Sequence, residues 1–500
     1  MKNLAVALLV GAVSAESLNA QPNIWNESTE GLADLCGDQW SRWNNPSNSW
    51  DTFAAAYQSG GKWTDRDFGA SMEVMYSSYY PPRGGTWNFD NYVKAFKRPE
   101  EIFPGEEVHI MGQKGEFAPS GIRQGMIGDC WFLAGAAATS EDPSRMYKVV
   151  NENSRSNYNA AGIFRYAFWV ENKWVAINID DRLPVRYKYS NSRDYFVPYG
   201  SNRSNFGAWW MPLLEKAYAK LNGNYARIEG GSGFESLRQL SGKPVFFFEH
   251  EKVAQQEADL YGKFKKFASE NYPMVLSCCK APGDAPDGLQ TKHAYTLMDV
   301  AEVQGERLAK VRNPWSSEGY SGPWADSDPR WTPSLLDSVG HTKADDGVFF
   351  MPFHNMFRST YFRSTTVNVY KEFSKTTIYD ITQRPQELAI TFQVPSRQVV
   401  YFTLEAQNPR FRKGCRGAKI FVNTYFFPGT RFRGMDSLLF PLGYMGGTSY
   451  HVTAGEPDYV FEAGTYTMQV ANWGCSGRCT PLDYKLIVSQ EGSGRVSVSY

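Results

Sequence analysis

The chain lacks an excess of either charge. Lys plus Arg and Asp plus Glu each number 52 in 500 residues, so there is no long-range electrostatic reason to expect nucleic acid or an anionic membrane as a partner. It also lacks any stretch of about twenty apolar residues, so no membrane-spanning helix is expected. Cysteine is scarce, seven in all, and the spacing of Cys475 and Cys479 has no matching second cluster of the kind a structural zinc site needs. A local disulfide, or two cross-links into one sheet, are the readings left for that pair. Disorder is excluded too, because 42% apolar and 15% aromatic residues supply ample core-forming surface. Five hundred residues then imply two to four domains.

What is present begins with a short apolar run, Leu4 to Val13, behind Met1-Lys2 and ahead of small residues at Ser14-Ala15. This reads as a secretory signal peptide over 1–15, and implies a secreted or secretory-pathway location. Residues 16–54 are polar and rich in tryptophan, an extension that either packs on the rest or is removed. An oxidising compartment suits the cysteine count: Cys130 kept free, with Cys36, Cys278, Cys279, Cys415, Cys475 and Cys479 available to pair in an order the sequence does not give.

The most informative stretch is Gln124-Gly-Met-Ile-Gly-Asp-Cys130-Trp-Phe-Leu133. Two glycines allow a tight turn, and the apolar run from Trp131 to Ala138 predicts a buried helix. Cys130 then stands at a helix N-terminus, where the helix dipole favours a thiolate, and a nearby imidazolium would favour it further. The Gln124 amide and the Cys130 N–H are candidates for an oxyanion hole, each donor being worth roughly 3 to 4 kcal/mol. A small buried hydrophobe opening a core helix is the plain alternative for Cys130.

Other elements can be read in order. Gly162–Trp169 and Trp174–Ile179 predict paired strands around Glu171-Asn172-Lys173; Asp180-Asp181 reads as structural acid at a strand end; Met211–Gly223 predicts a helix stopped by glycine. The glycines of Glu229–Gly233 predict a hinge between two lobes. His293–Val300 and Leu308–Asn313, separated by Gln304-Gly305, predict a hairpin centred on residue 303, which would set His293 opposite Asn313. At roughly 5 Å between Cβ atoms, an amide there can fix the tautomer and orientation of an imidazole. From about residue 366 short β-rich runs with Gly/Pro turns predict a β-sandwich.

The string around Cys130, with the order Cys130, His293, Asn313, resembles the calpain family of papain-like cysteine proteases, well over roughly 60–360 and in architecture only beyond. The resemblance implies an α+β fold: protease lobes over 55–230, carrying Cys130, and 231–365, carrying His293 and Asn313, then the β-sandwich over 366–500. It implies peptide-bond hydrolysis of protein or peptide substrates through a thioester. Cys130 would be the nucleophile, His293 the general acid/base, Asn313 its orienter and Gln124 an oxyanion donor, with Trp315 shielding the His293–Asn313 contact. Calcium sites of the family fit poorly. First-lobe ligand positions fall at Gly121 and Ala208 and two second-lobe positions at Gly319 and Val348, leaving Asp326 and Asp346 as a partial site; no helix–loop–helix calcium loop follows. No cofactor requirement is therefore expected. Lys292 stands where the family has a small residue before the histidine. The rival readings are a catalytically silent binding protein on the same fold and a transglutaminase-like acyl transferase.

Overall fold

Helix α1, Cys130–Ser140, is buried on nearly every face, as an all-round apolar helix must be. Its sequence contains no proline, and the Asp129 carbonyl accepts the Phe132 and Leu133 N–H groups that start it. The computed structural model describes residues 48–76, 89–113, 115–155, 160–188, 196–205, 207–253, 257–279, 286–358, 360–381, 387–406, 422–430, 451–454, 456–472 and 484–499. The expected leader, most of the extension after it, and Cys36, Cys415, Cys475 and Cys479 lie outside these.

Around α1 stand the hairpin of β1, Ile163–Val170, with β2, Lys173–Asp180, and the helices α2, Trp210–Asn222, and α3, Gly233–Ser241. The hairpin turns through Glu171 and Asn172, both at positive φ (47° and 71°), the backbone a two-residue primed turn requires. Gly223, at φ 105°, ends α2. Asp180 is structural, as expected: it takes Lys216 of α2 and Arg182, while Asp181 takes Arg98. The glycine run before α3 is not a free hinge. A β-carbon on Gly231 would run into the Trp131 indole and one on Gly233 into Val275, so these glycines permit close approach between α1, α3 and the next sheet.

That sheet has six antiparallel strands: β3 Val245–Glu249, β4 Met274–Cys278, β5 Ala294–Val303, β6 Glu306–Arg312, β7 Val348–Pro352 and β8 Phe362–Asn368, in the spatial order β7-β6-β5-β4-β8-β3. Helix α4, Glu257–Ser269, accompanies it, and its Phe264 and Phe267 enter a second core with Tyr295, Phe353 and Phe362.

The β5–β6 hairpin corrects the expected register. Val303 pairs with Glu306, and the offset changes once, at an irregularity between Leu297 and Asp299, after which Thr296 pairs with Arg312. His293 therefore precedes the strand and is not cross-strand from Asn313. A turn centred on 303 placed the loop one residue and a half too early, and the bulge at Met298 re-aims the strand start.

Beyond residue 374 lie two antiparallel sheets. One runs β9 Lys375–Ile381, then β16 Tyr484–Gln490, β11 Gln398–Ala406 and β13 His451–Ala454, with β14 Val460–Phe461 also on β11; the other runs β12 Val422–Pro428, β15 Gly464–Asn472, β10 Glu387–Val394 and β17 Ser497–Ser499. Phe392, Phe402, Met468 and Val488, from both sheets, share one core. A buried ion pair ties this unit to the first: Glu405 of β11 accepts from Arg238 of α3 at 2.5 Å and from the Asn172 N–H in the β1–β2 turn.

Candidate active site

Cys130 is a free thiol at the first position of α1, half-buried. Its own N–H has no intrahelical acceptor at that position. The Ala294 N–H at the start of β5 is directed at its sulfur. The thiolate expected from the helix dipole alone is not what this environment sets. Burial pushes the thiol up to about 11, outweighing the Ala294 N–H, and the Asp129 carboxyl adds to the rise. Asp129 is itself pushed well above the usual carboxylate range, by burial first and then by Glu215 beside it.

His293 is buried, and its Nε2 lies 2.9 Å from Asn313 Oδ1. Two backbone groups fix which way that amide points. The Trp315 N–H donates to Oδ1, and Nδ2 donates to the Glu318 carbonyl. Oδ1 is thus the acceptor, Nε2 carries the ring proton, and Nδ1 is left with its lone pair. Burial pulls the imidazole down to about 4, against the Asn313 hydrogen bond, which raises it. No Cys130–His293 hydrogen bond is formed among the described residues, and burial favours the neutral form of each group.

Trp315 lies over the ring, 4.8 Å between centroids, while remaining 40% exposed. Tyr295 meets the same imidazole edge-on at 4.9 Å. Gln124 spends one amide hydrogen on the Ile127 carbonyl at 2.8 Å, leaving the second for a ligand.

Cross-contacts bring these pieces to one place. Gln124 N–H donates to the Pro314 carbonyl, buried Arg312 to the Ile122 carbonyl, and Thr296 to the Ala134 carbonyl of α1. Hydrogen bonds thereby join the unit bearing the thiol to the sheet bearing His293 and Asn313.

The two acids of the partial calcium set have protein partners. Asp326 binds His341 at 2.8 Å, and Asp346 caps the Val348 N–H. Among the described residues no group of three or more His, Cys, Asp or Glu is gathered as a metal site. Glu318, which the sequence reading missed, and Asp326 each keep one buried oxygen without a hydrogen-bond partner. Burial first, then Asp326, Asp345 and Asp346, push Glu318 up to about 7. Cys278 and Cys279, whose partners the sequence left open, are joined to each other.

A thiol, an imidazole and a carboxamide stand in this chain order, the imidazole bonded to the amide and followed directly by the N–H that faces the thiol. The chain belongs to the calpain family of cysteine proteases, whose family model matches residues 63–368. It is 34% identical to Calpain-9 of Rattus norvegicus over 310 residues, which cover 60% of this chain and 41% of that protein. It is 31% identical to Calpain-A of Drosophila melanogaster over 313 residues, covering 59% of this chain and 35% of that one. The match therefore spans less than half the length of these curated relatives. Among solved structures, the clostridial cysteine protease Cwp84 aligns over 49% of this chain and 58% of its own, at 9% identity and a TM-score of 0.17, too low to bear on the fold.

Proposed function

We propose that the protein is a secreted cysteine endopeptidase with a two-lobed papain-like core over 55–365 and a β-sandwich behind it. The observation that carries this reading is the buried His293–Asn313 pair, whose next residue, Ala294, turns its N–H to the Cys130 sulfur.

In this reading Nδ1 takes the thiol proton as the sulfur attacks a peptide carbonyl, and the Nε2–H bond to Asn313 stabilises the imidazolium so formed. The carbonyl oxygen, now negative, lies against the Cys130 N–H and the second Gln124 amide hydrogen. Nδ1–H then protonates the departing amine, the C–N bond breaks, and a thioester remains. Water, giving a proton to Nδ1, resolves it to a carboxylic acid and the thiol.

Catalysis is proposed to run without calcium, since hydrogen bonds already join the lobes. The apolar run at 4–13 supports secretion, and no described helix is long and apolar enough to cross a membrane.

A silent binding protein has one observation on its side, the absence of a Cys130–His293 hydrogen bond. Thiol labelling decides between the two. A peptide electrophile incubated with the purified protein is expected to modify Cys130 in the folded state and to lose that selectivity on denaturation. Equal labelling of folded and unfolded protein would remove the enzymatic reading.

A further inference from the structure

Lys292 immediately precedes His293 and holds φ at 53°, a region that side-chain-bearing residues seldom occupy and that recurs at functional sites. The chain turns here because both following groups are committed: the His293 carbonyl accepts the Cys278 N–H, and the Ala294 N–H faces the Cys130 sulfur. Residues 292–294 thus pass beside the thiol. Lys292 is exposed, and among the described residues its ammonium makes no hydrogen bond or ion pair. Only burial and Asn313 act on the imidazole, so this cation is not a tuner of His293. It is an exposed, unpartnered charge one residue from the imidazole, in a chain whose overall charge is zero.

The side it faces follows from the chemistry. With Nε2 held by Asn313, Nδ1 must deliver the proton to the departing amine, so the leaving residue comes within hydrogen-bond reach of the ring. The residue next in the chain, with its Cα about 3.8 Å from that of His293, borders this leaving-group side. We propose that Lys292 is a specificity-determining residue that favours peptides with Asp or Glu on the leaving-group side of the scissile bond. This rests on the peptidase reading above.

The test uses one peptide series with Glu, Gln or Lys at the first position after the scissile bond, and a second series with the same changes on the acyl side, each rate normalised to titrated Cys130. Wild type is expected to prefer Glu over Gln by about threefold to fivefold, as for an exposed ion pair, and to lose much of that preference in high salt. Lys292→Ala equalises Glu and Gln, and Lys292→Glu reverses them. Lys292→Gly matches the alanine variant in selectivity but melts higher, because glycine accepts positive φ. A wild-type ratio of one, a ratio unchanged in Lys292→Ala, or a preference confined to the acyl side overturns the inference while leaving the peptidase standing. No cleavage of any peptide together with no selective Cys130 labelling overturns both.

Discussion

Cys130, His293 and Asn313 differ in what each loses on substitution. Cys130→Ser is expected to abolish peptide hydrolysis with the fold intact, because a hydroxyl is far harder to ionise than a thiol. His293→Ala should fall by at least the hundredfold to ten-thousandfold typical of a general base, about 10² to 10⁴. Asn313→Ala, which removes the orienter but no proton acceptor, should retain measurable turnover. Active-site-normalised kcat/KM on one peptide checks all three, and wild-type rates in Cys130→Ser would remove the thiol from its role.

The acid–base behaviour is equally specific. His293 serves as base only when unprotonated, and with its pKa about 4 the kcat/KM profile is expected to hold below pH 6, where an ordinary imidazole would already be charged. An acid limb near pH 6.5, measured by initial rates after a rapid pH change, would count against the buried, neutral imidazole. The same burial carries a stability consequence. His250, held between the Phe362 carbonyl and Thr365, is also pulled down by burial to about 4. Both histidines take up protons more readily when unfolded, so their contribution is intact above about pH 6.5 and is lost as pH falls toward 4, at roughly 1.4 kcal/mol per pH unit for each.

At the scale of elements, α1 is held by close approach as well as by hydrogen bonds such as that from Thr296 to the Ala134 carbonyl. Gly231→Ala places a methyl inside the Trp131 indole, one residue from the nucleophile. It is expected to destabilise the fold by about 1 to 3 kcal/mol as an overpacked core contact, and to lower kcat by displacing the start of α1. Urea unfolding and single-turnover rates measure the two effects, and a neutral result in both would mean the glycine run tolerates more space than its packing implies. The β5–β6 hairpin shows how far an element can be read in advance. Its two strands and the polar turn between them were legible from alternation and Gln304-Gly305. The bulge at Met298 was not, because it is set by pairing with β6, not by the local sequence. His293 reached Asn313 through loop geometry beyond the strand ends, a right contact expected for a wrong register.

For the whole molecule, Glu405 is the joint between the terminal sheets and α3. Glu405→Ala leaves Arg238 charged and 99% buried without its partner, which is expected to cost about 3 to 5 kcal/mol, seen as an earlier denaturation transition. No shift would mean that water or another acceptor takes over the guanidinium. Calcium is the other global question. Hydrogen bonds from Gln124, Arg312 and Thr296 already span the cleft, so excess chelator and millimolar calcium should give the same peptidase rate. A large, reversible calcium requirement would show that Glu318 and Asp326, with backbone oxygens and water, complete a site after all.

The local sequence by itself determined the helix that begins at Cys130, the order thiol, imidazole, amide, and the β-rich character of the terminal sheets, because apolar periodicity, glycine and turn residues act within a few positions of themselves. Tertiary structure alone decided the burial of the site, the partners of the acids and the role of the glycine run. Desolvation of Cys130 and His293 depends on everything packed around them, and it overrode a helix-dipole argument drawn from one segment. Asp326 went to His341, which a longer loop brings back to it, while Asp346 accepts locally from the Val348 N–H. The glycines before α3 looked like a hinge only until Trp131 and Val275 were seen to occupy the space a side chain would need.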